Sequence, residues 1–306
     1  MFDIASYTKK RIIVTGGSGF IGSALCERLC QSGAEVHAVS RQSRSSSANG
    51  VEWWQLDLAD ANKVGALFSE LKPDVVFHLA SEVVGGRELD LVLPTLNGNL
   101  LSAVNVLVAG EKNNCQRIVM AGSLEEPDAQ SGPAIPSSPY AAAKWASSGY
   151  ARMFHALYNT PVVLARLFMV YGPNQKDLKK LVPYAILSLL KGEPPKIASG
   201  TRLVDWIYVE DVVQGLLRLG ATPGIDGRTV DIGSGDMVTT RTVVETLANI
   251  IDPAIQPQFG AISDRPMEQV KVADIVDTYD TLGWKPEQGL RQGLEETVQW
   301  YRKLAV

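Results

Sequence analysis

The fold is decided near the N-terminus by the stretch Arg11-Ile-Ile-Val-Thr-Gly-Gly-Ser-Gly-Phe-Ile-Gly-Ser-Ala-Leu25. Within it, Ile12–Val14 is a short apolar run typical of a fully buried parallel strand, and a helix is predicted over Ser23–Ser32. The glycines between them allow a sharp turn and a close approach of backbone N–H groups to a pyrophosphate, while the helix N-terminus supplies partial positive charge. The stretch therefore predicts a dinucleotide-binding turn. The residues of this turn that we expect to contact the dinucleotide are Gly16, Ser18, Gly19, Phe20, Ile21 and Gly22.

The end of the second predicted strand, Glu35–Val39, indicates which dinucleotide binds. An NAD site usually carries Asp or Glu at this point to bind the ribose 2′-hydroxyl, whereas this chain continues with Ser40, Arg41, Gln42, Ser43 and Arg44. A guanidinium offers paired donors that match phosphate oxygens. We therefore expect Ser40, Arg41, Ser43 and Arg44 to hold the 2′-phosphate of NADP, with NAD as the less favoured cofactor. The alternative is that these arginines are ordinary solvated surface residues.

Composition argues against several classes of partner. The 306-residue chain holds 29 basic and 33 acidic residues, and its net charge of −4 gives no electrostatic reason to bind nucleic acid or an anionic membrane. Residues 1–10 lack the apolar core of a signal peptide, and no run of eighteen apolar residues occurs. Cys26, Cys30 and Cys115 have no metal-ligand spacing. We expect no metal site, a cytoplasmic location and a small-molecule partner.

Predicted strands and helices alternate regularly through Gly172, which indicates an α/β fold with a Rossmann-type, doubly wound parallel sheet over residues 1–172. Residues 173–306 have more turns and fewer buried strands. This predicts a smaller substrate-binding domain, from which elements at about 203–234 return to the main sheet. The predicted strands beyond the first two are Val51–Leu56, Asp74–Ala80, Gln116–Ala121, Val162–Leu167 and Val204–Val209. The predicted helices beyond the first are Asn62–Leu71, Leu96–Lys112, Leu181–Lys191 and Asp211–Leu219.

Residues at the carboxyl ends of the central strands are expected to line the cofactor groove, since ligands of open parallel sheets bind there. Ala80 and Ser81 end one such strand. Asp57, which follows the third strand, would either bind the adenine or cap its own turn. His78 lies inside an apolar run. We therefore expect it to be a structural imidazole bonded to the backbone rather than a catalytic one.

Ser123, Tyr140 and Lys144 carry the predicted chemistry. Tyr140 and Lys144 are four residues apart and so share one face of a helix. An unperturbed Tyr has a pKa of about 10, which a nearby cation lowers. Tyr140 would then exchange a proton with a carbinol or ketone oxygen while hydride passes between the adjacent carbon and a nicotinamide. Ser123 is placed to bind the same substrate oxygen. Tyr-x-x-x-Lys pairs also occur by chance, but the upstream dinucleotide turn favours catalysis.

Together these motifs resemble the extended short-chain dehydrogenase/reductase family, in its NAD(P)-dependent epimerase/dehydratase branch that acts on nucleotide sugars. The resemblance covers nearly the whole chain. The segments that carry it are Gly16–Gly22, Asp57-Leu58, His78–Ala80, Ser123, Tyr140–Lys144, Arg166–Pro173, Asp205–Asp211, Asp231–Gly235 and Leu282–Trp284.

The resemblance implies a Rossmann domain, a C-terminal domain that binds a nucleotide-diphosphate sugar, and a Ser–Tyr–Lys active site. Asn99 falls where the family has an asparagine near the active site. Arg202 and Arg265 lie near positions from which family arginines contact the substrate diphosphate. Family members are commonly homodimers that pair through the long helices carrying Asn99 and Tyr140. We call residues Ser40–Arg44 the arginine loop. Beyond this loop and the glycine turn, the resemblance implies cofactor contacts from Asp57, Leu58, Leu79, Ala80, Ser81, Asn99, Tyr140 and Lys144.

Departures from the family pattern bear on the reaction. Met169 stands where the family often has Asn. Dehydratases of the branch carry Thr-Asp-Glu or Thr-Ser-Glu after the strand that precedes Ser123, whereas here Leu124 cannot donate a proton and Glu125 alone is available as a base that contacts substrate. The segment is closer to members that reduce a 4-keto sugar, so we expect NADPH-dependent reduction of a nucleotide-diphosphate 4-keto-6-deoxy sugar. The alternatives are a redox-neutral 4-epimerase or dehydratase with bound NAD(P), a small-molecule carbonyl reductase of the same superfamily, and a non-catalytic NADP-sensing or scaffold protein.

Overall fold

A seven-stranded parallel sheet runs through the centre of the protein. The structure is a computed structural model that describes residues 4–45, 50–127 and 134–304. Its strands are β1 (Arg11–Thr15), β2 (Glu35–Ser40), β3 (Val51–Gln55), β4 (Val75–His78), β5 (Arg117–Ser123), β6 (Val162–Leu167), β7 (Met169–Tyr171), β8 (Lys196–Ile197), β9 (Leu203–Tyr208), β10 (Thr229–Ile232), β11 (Met237–Thr239) and β12 (Gln258–Phe259). The central sheet has the order β10-β6-β5-β4-β1-β2-β3, and its pairs are parallel. This confirms the predicted Rossmann-type fold.

Helices connect these strands. The helices are α1 (Phe20–Gln31), α2 (Ala61–Leu71), α3 (Val92–Thr95), α4 (Ser102–Lys112), α5 (Pro139–Tyr158), α6 (Leu181–Leu190), α7 (Val209–Ala221), α8 (Thr240–Ile251), α9 (Ile275–Leu282) and α10 (Leu290–Leu304). Short 3₁₀ turns lie at Ile4–Tyr7 and Leu89–Leu91, and a π-helical turn at Leu96–Leu101 joins α3 to α4.

Both faces of the central sheet are covered. Leu29 of α1 and Leu216 of α7 pack in the core on one face. Phe68 of α2, Leu107 of α4 and Phe154 of α5 pack in the core on the other. Because strands buried on both faces need apolar side chains at successive positions, they read as continuous apolar runs in the sequence.

The C-terminal part has a second core. Ile186 of α6, Leu247 of α8 and Val298 of α10 pack together against a three-stranded sheet of order β11-β9-β7. Within the segment 203–234, β10 forms the edge of the main sheet and α7 packs against α1, whereas β9 pairs with β7 and β11 in the smaller sheet.

Asp205 of β9 joins the smaller sheet to the loops beside it. One carboxylate oxygen accepts hydrogen bonds from the backbone N of Ser234 at 2.6 Å and from its hydroxyl at 2.7 Å. The other accepts from the backbone N of Gly235 and of Ala273, both at 3.0 Å. This buried carboxylate therefore fixes the segment before α9, which reaches back towards the carboxyl end of β5.

The helical segment Leu89–Lys112 begins earlier than the predicted helix Leu96–Lys112. Its 24 residues have a mean hydropathy of 1.5 over the most apolar window, of which 39% is buried, so length and composition alone would let it cross a membrane. Core helices of globular proteins meet the same criterion. Leu89 and Leu93 are 84% and 68% exposed, so this segment carries an apolar outer face.

Candidate active site

The glycine turn after β1 has the shape that a dinucleotide needs. Gly16 has φ +69, and a Cβ there would lie 2.8 Å from the backbone N of Ala80. A Cβ on Gly22 would lie 2.8 Å from the carbonyl carbon of Gly16 and still closer to its oxygen. Gly19, the N-cap of α1, makes no side-chain capping bond, so no capping side chain covers the N–H groups of the first turn, which includes Phe20. Backbone donors at a helix N-terminus bind phosphate, so the residues present fit a dinucleotide pyrophosphate.

A strap of residues 174–180 lies against this turn, a contact that the sequence alone did not predict. The Lys176 ammonium donates to the carbonyl of Ser18 at 3.2 Å, and the Asn174 amide donates to the Ser23 hydroxyl at 3.3 Å. The buried Tyr301 of α10 donates its hydroxyl proton to the carbonyl of Gln175 at 2.7 Å. The strap thus places a cation beside the phosphate-binding turn. In the sequence, the asparagine and the lysines of this segment indicate only a polar loop.

At the end of β2, one of the two predicted phosphate-binding arginines is paired with a carboxylate. Arg41 forms an ion pair with Glu82, a residue of the loop after β4. The Arg44 guanidinium lies 5.4 Å from the ring centroid of Trp53. The Ser40 hydroxyl accepts a hydrogen bond from the backbone N of Gln42 at 3.2 Å. The arginine loop is therefore partly neutralised, and Glu82 is a groove residue that the sequence alone did not identify. Ser43 is exposed on the same loop.

The residues predicted from the neighbouring strand ends have defined partners. Of the two roles considered for Asp57, the structure contains the turn cap, because its carboxylate accepts from the backbone N of Ala59 at 2.9 Å. Leu58 is buried, and its carbonyl accepts from the Asn105 amide at 2.8 Å. The backbone N of Leu79 donates to the carbonyl of Thr15 at 3.2 Å. These contacts hold the edges of the groove in place.

His78 is structural, as predicted, but its partner differs from the expected one. Its Nδ1 lies 2.8 Å from the hydroxyl oxygen of Thr15, not against a backbone group. The same hydroxyl accepts from the backbone N of Ala80 at 3.2 Å. Burial, with the Lys144 charge adding to it, lowers the pKa of His78 to about 3. The imidazole is therefore neutral and locks β4 to β1 beneath the glycine turn.

Asn99 lies in the π-helical turn and holds the loop after β4. Its amide oxygen accepts from the Ser81 hydroxyl at 3.1 Å and from the backbone N of Glu82 at 2.6 Å. Its amide nitrogen donates to the Glu82 carbonyl at 3.3 Å, and Ser147 of α5 donates to the Asn99 carbonyl at 3.2 Å. The side chain thus shapes the wall of the groove, and π turns recur at functional sites.

Ser123, Tyr140 and Lys144 come together at the carboxyl end of β5. Ser138 caps α5 by accepting from the backbone N of Ala141 at 3.1 Å, which sets Tyr140 in the first turn of the helix. The Tyr140 and Ser123 side chains share a hydrogen bond. The Lys144 ammonium, one turn further, donates to the carbonyl of Ala121 at 2.8 Å. Ser123 is the last residue of β5, not a residue beyond the strand as predicted.

The pKa of Tyr140 is not lowered in this structure, which corrects the sequence expectation. Burial raises it to about 12, the hydrogen bond to Ser123 opposes that rise, and the carboxylates of Glu126 and Glu125 add to it. Burial also lowers the pKa of Lys144 to about 8, against the attraction of Glu126. The Lys144 ammonium is hydrogen-bonded to β5. The loss of solvation of the Tyr140 phenol therefore dominates, and the pKa of Tyr140 is raised rather than lowered.

Leu124 and Glu125 follow the reactive serine. Leu124 packs into the core beneath the main sheet. The Glu125 carboxylate accepts from the Arg202 guanidinium at 2.8 Å, and Glu268 lies 3.2 Å from the same guanidinium. Arg202, predicted to contact a diphosphate, is therefore held between two carboxylates.

Two other cations, Arg265 and Lys180, lie near Glu125, and with Arg202 they line the space that we call the cleft. The Arg265 guanidinium lies so close to Gly85 that a Cβ there would come within 2.8 Å of it. Lys180, which sequence reasoning missed, has its pKa lowered by burial, with Asp177 opposing the shift and Arg265 adding to it. Together with Arg202 and with Lys176 of the strap, Arg265 and Lys180 supply positive charge that suits a diphosphate. Within the described ranges, no group of three or more His, Cys, Asp or Glu side chains is arranged to hold a metal ion.

The sequence and the fold match known proteins along nearly the whole chain. A dTDP-glucose 4,6-dehydratase of Neisseria gonorrhoeae is 29% identical, with 96% of this chain and 96% of that protein aligned. A UDP-glucose 4-epimerase of Mycolicibacterium smegmatis is also 29% identical, covering 95% and 98%. The UDP-glucose 4-epimerase of Thermus thermophilus, solved in complex with NAD, superposes with a TM-score of 0.83 at 27% identity, covering 95% and 99%.

The family pattern itself spans the dinucleotide turn, the Ser–Tyr–Lys trio and the return of β10 to the main sheet. It matches residues 12–233. With the glycine turn and the trio at the end of β5 already established, this match is decisive for the enzyme class. The chain belongs to the NAD dependent epimerase/dehydratase family, and it is an extended short-chain dehydrogenase/reductase enzyme of nucleotide-sugar metabolism.

Proposed function

We propose that the protein is a redox-neutral 4-epimerase of a nucleotide-diphosphate hexose, working with a tightly held NAD. The observation that carries this proposal is the trio Ser123, Tyr140 and Lys144 at the end of β5, followed at once by a buried leucine. Epimerisation at C4 needs one group that moves a proton to and from a single hydroxyl. Dehydration needs in addition an acid for the departing hydroxyl, and Leu124 offers none.

The chain's own residues divide the proton chemistry between them. Ser123 orients the C4 oxygen through its hydroxyl. Tyr140 takes the proton of that oxygen and later gives it back to the same oxygen, while the hydride would return to the opposite face of C4 of the 4-keto sugar. Lys144 fixes the geometry by its bond to β5. When bound, the nicotinamide supplies the hydride acceptor and donor and, in its oxidised form, a positive charge. That charge would oppose the effect of burial on the Tyr140 pKa.

The choice of NAD rests on Glu82. Arg41 is already paired with this carboxylate, and a 2′-phosphate would have to break the pair and approach a negative charge. A ribose 2′-hydroxyl has no such cost and can donate a hydrogen bond to a carboxylate. The preference for NADP that Arg41 and Arg44 suggest from the sequence stays a prediction, which the nature of the bound nucleotide will decide.

The substrate phosphates are assigned to the cations of the cleft. Arg265 and Lys180 lie at its entrance, and Lys180 is partly desolvated by the protein around it. Arg202 would add a third contact if a diphosphate displaced Glu125 or Glu268. Paired or clustered cations suit a diphosphate of any nucleoside, so these residues define the class of substrate rather than its base.

The second candidate is the 4-keto-6-deoxy sugar reductase expected from the sequence. Arg41 and Arg44 favour it, because they provide guanidinium groups at the position where NADP enzymes bind the 2′-phosphate. The two candidates use the same Ser–Tyr–Lys trio. They differ in whether an external NADPH is consumed.

Purified protein incubated with UDP-glucose or dTDP-glucose is expected to form the 4-epimer without added reductant. Denaturing the protein is expected to release its bound nucleotide, and mass spectrometry is expected to identify that nucleotide as NAD. Consumption of NADPH with a nucleotide-4-keto-6-deoxyhexose, together with release of NADP, would instead establish the reductase. Failure to convert any of these nucleotide sugars would contradict both candidates.

We also propose that the protein is a homodimer. The apolar outer face of the segment Leu89–Lys112 lies beside α5, which itself exposes Tyr150 and Leu157. An exposed apolar face on two adjacent helices suits a two-fold, self-complementary interface. Light scattering is expected to give twice the chain mass of 33.1 kDa. Leu93→Glu should reduce this to the monomer mass, whereas Leu304→Glu, at an exposed leucine of α10, should not; a wild-type monomer would refute the dimer.

A further inference from the structure

Glu126, for which the proposed reaction requires no role, is buried beside the reactive trio. Only 9% of the residue is exposed, and its Oε1 accepts a hydrogen bond from the backbone N of Ser123 at 2.8 Å. Gly122 makes this approach possible, because a Cβ at that position would lie 2.9 Å from the same oxygen. The carboxylate therefore lies directly against the last residues of β5.

Lys144 is bound to the same strand end. It is only 5% exposed, and its ammonium donates to the carbonyl of Ala121, two residues before Ser123. A carbonyl is a neutral acceptor and does not balance a buried positive charge. Glu126 interacts electrostatically with this ammonium and with the Tyr140 phenol. An isolated buried charge is costly, while a buried charge with a close counter-ion is tolerated.

We propose that Glu126 is a positioning residue of the active site, which holds the Ser123 backbone by a hydrogen bond and acts as the buried counter-ion of the Lys144 ammonium. This proposal rests on the proposed function in one respect: Ser123 and Lys144, the two residues that Glu126 holds, are the ones that the proposed reaction uses. Without the carboxylate, the lysine would lose its proton more easily, and a neutral amine would donate a weaker hydrogen bond to the carbonyl of Ala121.

The other charged groups around the trio do not replace Glu126. The Glu125 carboxylate also faces Tyr140, but it is paired with Arg202. His78 faces Lys144 from β4 and is neutral. Lys271 donates to the backbone carbonyl of Glu126, and with Arg152, Arg166 and Glu126 itself it lines a cavity of about 440 Å³. Lys271, Arg152 and Arg166 are cationic, so none of them can balance the positive charge of Lys144.

The test is a direct titration of Lys144 in the full-length protein without substrate. The ¹³Cε resonance of Lys144, identified by its loss in Lys144→Met, is followed against pH in protein labelled at lysine. The wild-type midpoint is expected near the pKa of about 8. Glu126→Gln keeps an oxygen that accepts from the Ser123 N–H but removes the charge, so the midpoint is expected to fall by about one pH unit or more. At pH 7.5 the variant would hold a smaller fraction of ammonium.

Two further variants make the result decisive. Gly122→Ala changes no charge but pushes the Glu126 carboxylate away from the strand end, so the Lys144 midpoint should again fall, by a smaller amount. Glu295→Gln removes an exposed carboxylate on α10 that pairs with Arg291, and it should leave the midpoint in place. If Glu126→Gln fails to fold, as judged by circular dichroism, Gly122→Ala decides the outcome. An unchanged Lys144 midpoint in the folded variant overturns the proposal.

The same variants separate this inference from the proposed reaction. A pH profile of kcat for Glu126→Gln should lose activity at a lower pH on its alkaline side than the wild-type profile does, and Glu126→Asp should recover part of the difference. A protein with no epimerase activity but a shifted Lys144 midpoint would refute the reaction and keep the role of Glu126. An active epimerase whose Lys144 midpoint is unchanged in Glu126→Gln would support the reaction and refute the role of Glu126.

Discussion

Tyr140→Phe is expected to lower kcat by about 10²- to 10⁴-fold, the range that positioned proton transfer contributes to an enzyme rate. The phenol is the only group of the trio placed to move the proton of the C4 oxygen, since Ser123 remains a neutral hydroxyl and Lys144 is bonded to β5. The ring itself keeps its packing in the first turn of α5. Cofactor affinity should fall by about tenfold at most, since the change removes one hydroxyl and a typical hydrogen bond contributes about 0.5–1.5 kcal/mol.

Tyr279→Phe is the matched control for this prediction. Tyr279 lies on α9 and is 55% exposed, so the same loss of a hydroxyl should leave kcat unchanged. Rates measured with either candidate substrate class test the pair. Full activity in Tyr140→Phe would show that another group moves the proton and would remove the basis for the catalytic trio.

Gly22→Ala is expected to have the largest effect on the cofactor site. The new Cβ would lie 2.8 Å from the carbonyl carbon of Gly16 and 2.9 Å from the Cα of Gly17. These are backbone atoms of the turn and cannot move aside without opening it. Overpacking of this kind costs about 1–3 kcal/mol, and the displaced turn should lower dinucleotide affinity by about 10- to 100-fold.

Gly65→Ala is the control, because a Cβ at this position in α2 meets no atom within 4 Å. Alanine is the better helix former, so this change should raise the free energy of unfolding by up to about 1 kcal/mol. Urea unfolding and calorimetric titration with NAD measure both variants. Wild-type stability and affinity in Gly22→Ala would mean that the glycine is not required by the turn.

The sequence predicted the fold and the reactive residues because both leave local patterns. Most central strands are buried on both faces, so Val162–Leu167 was predicted with its observed bounds, and β1 to β5 with shifts of one or two residues. The edge strand β10 was not predicted as a strand. The spacing of Tyr140 and Lys144 predicted a shared helix face. Ser123 could be placed because a strand end is marked by the residue at which the apolar run stops.

The parts that could not be predicted depend on contacts between distant segments. Lys176 contacts the glycine turn, and the neighbouring Gln175 is bound by Tyr301, which lies far along the chain. Glu82 meets Arg41 across the groove, and the two lie on different loops. The pKa of Tyr140 depends on how deeply the phenol is buried, which spacing along a helix does not reveal. The π-helical turn that carries Asn99 has no periodic signal distinct from that of an α-helix.

The central claim is that hydride leaves and returns to C4 of the sugar while Tyr140 moves the proton of the C4 oxygen. The most direct test uses UDP-glucose or dTDP-glucose carrying deuterium at C4, with the product analysed by mass spectrometry and NMR. The account predicts a 4-epimer that keeps deuterium at C4, since a hydride held by the nicotinamide does not exchange with water. A 4-epimer in which solvent hydrogen has replaced the deuterium at C4 would contradict it.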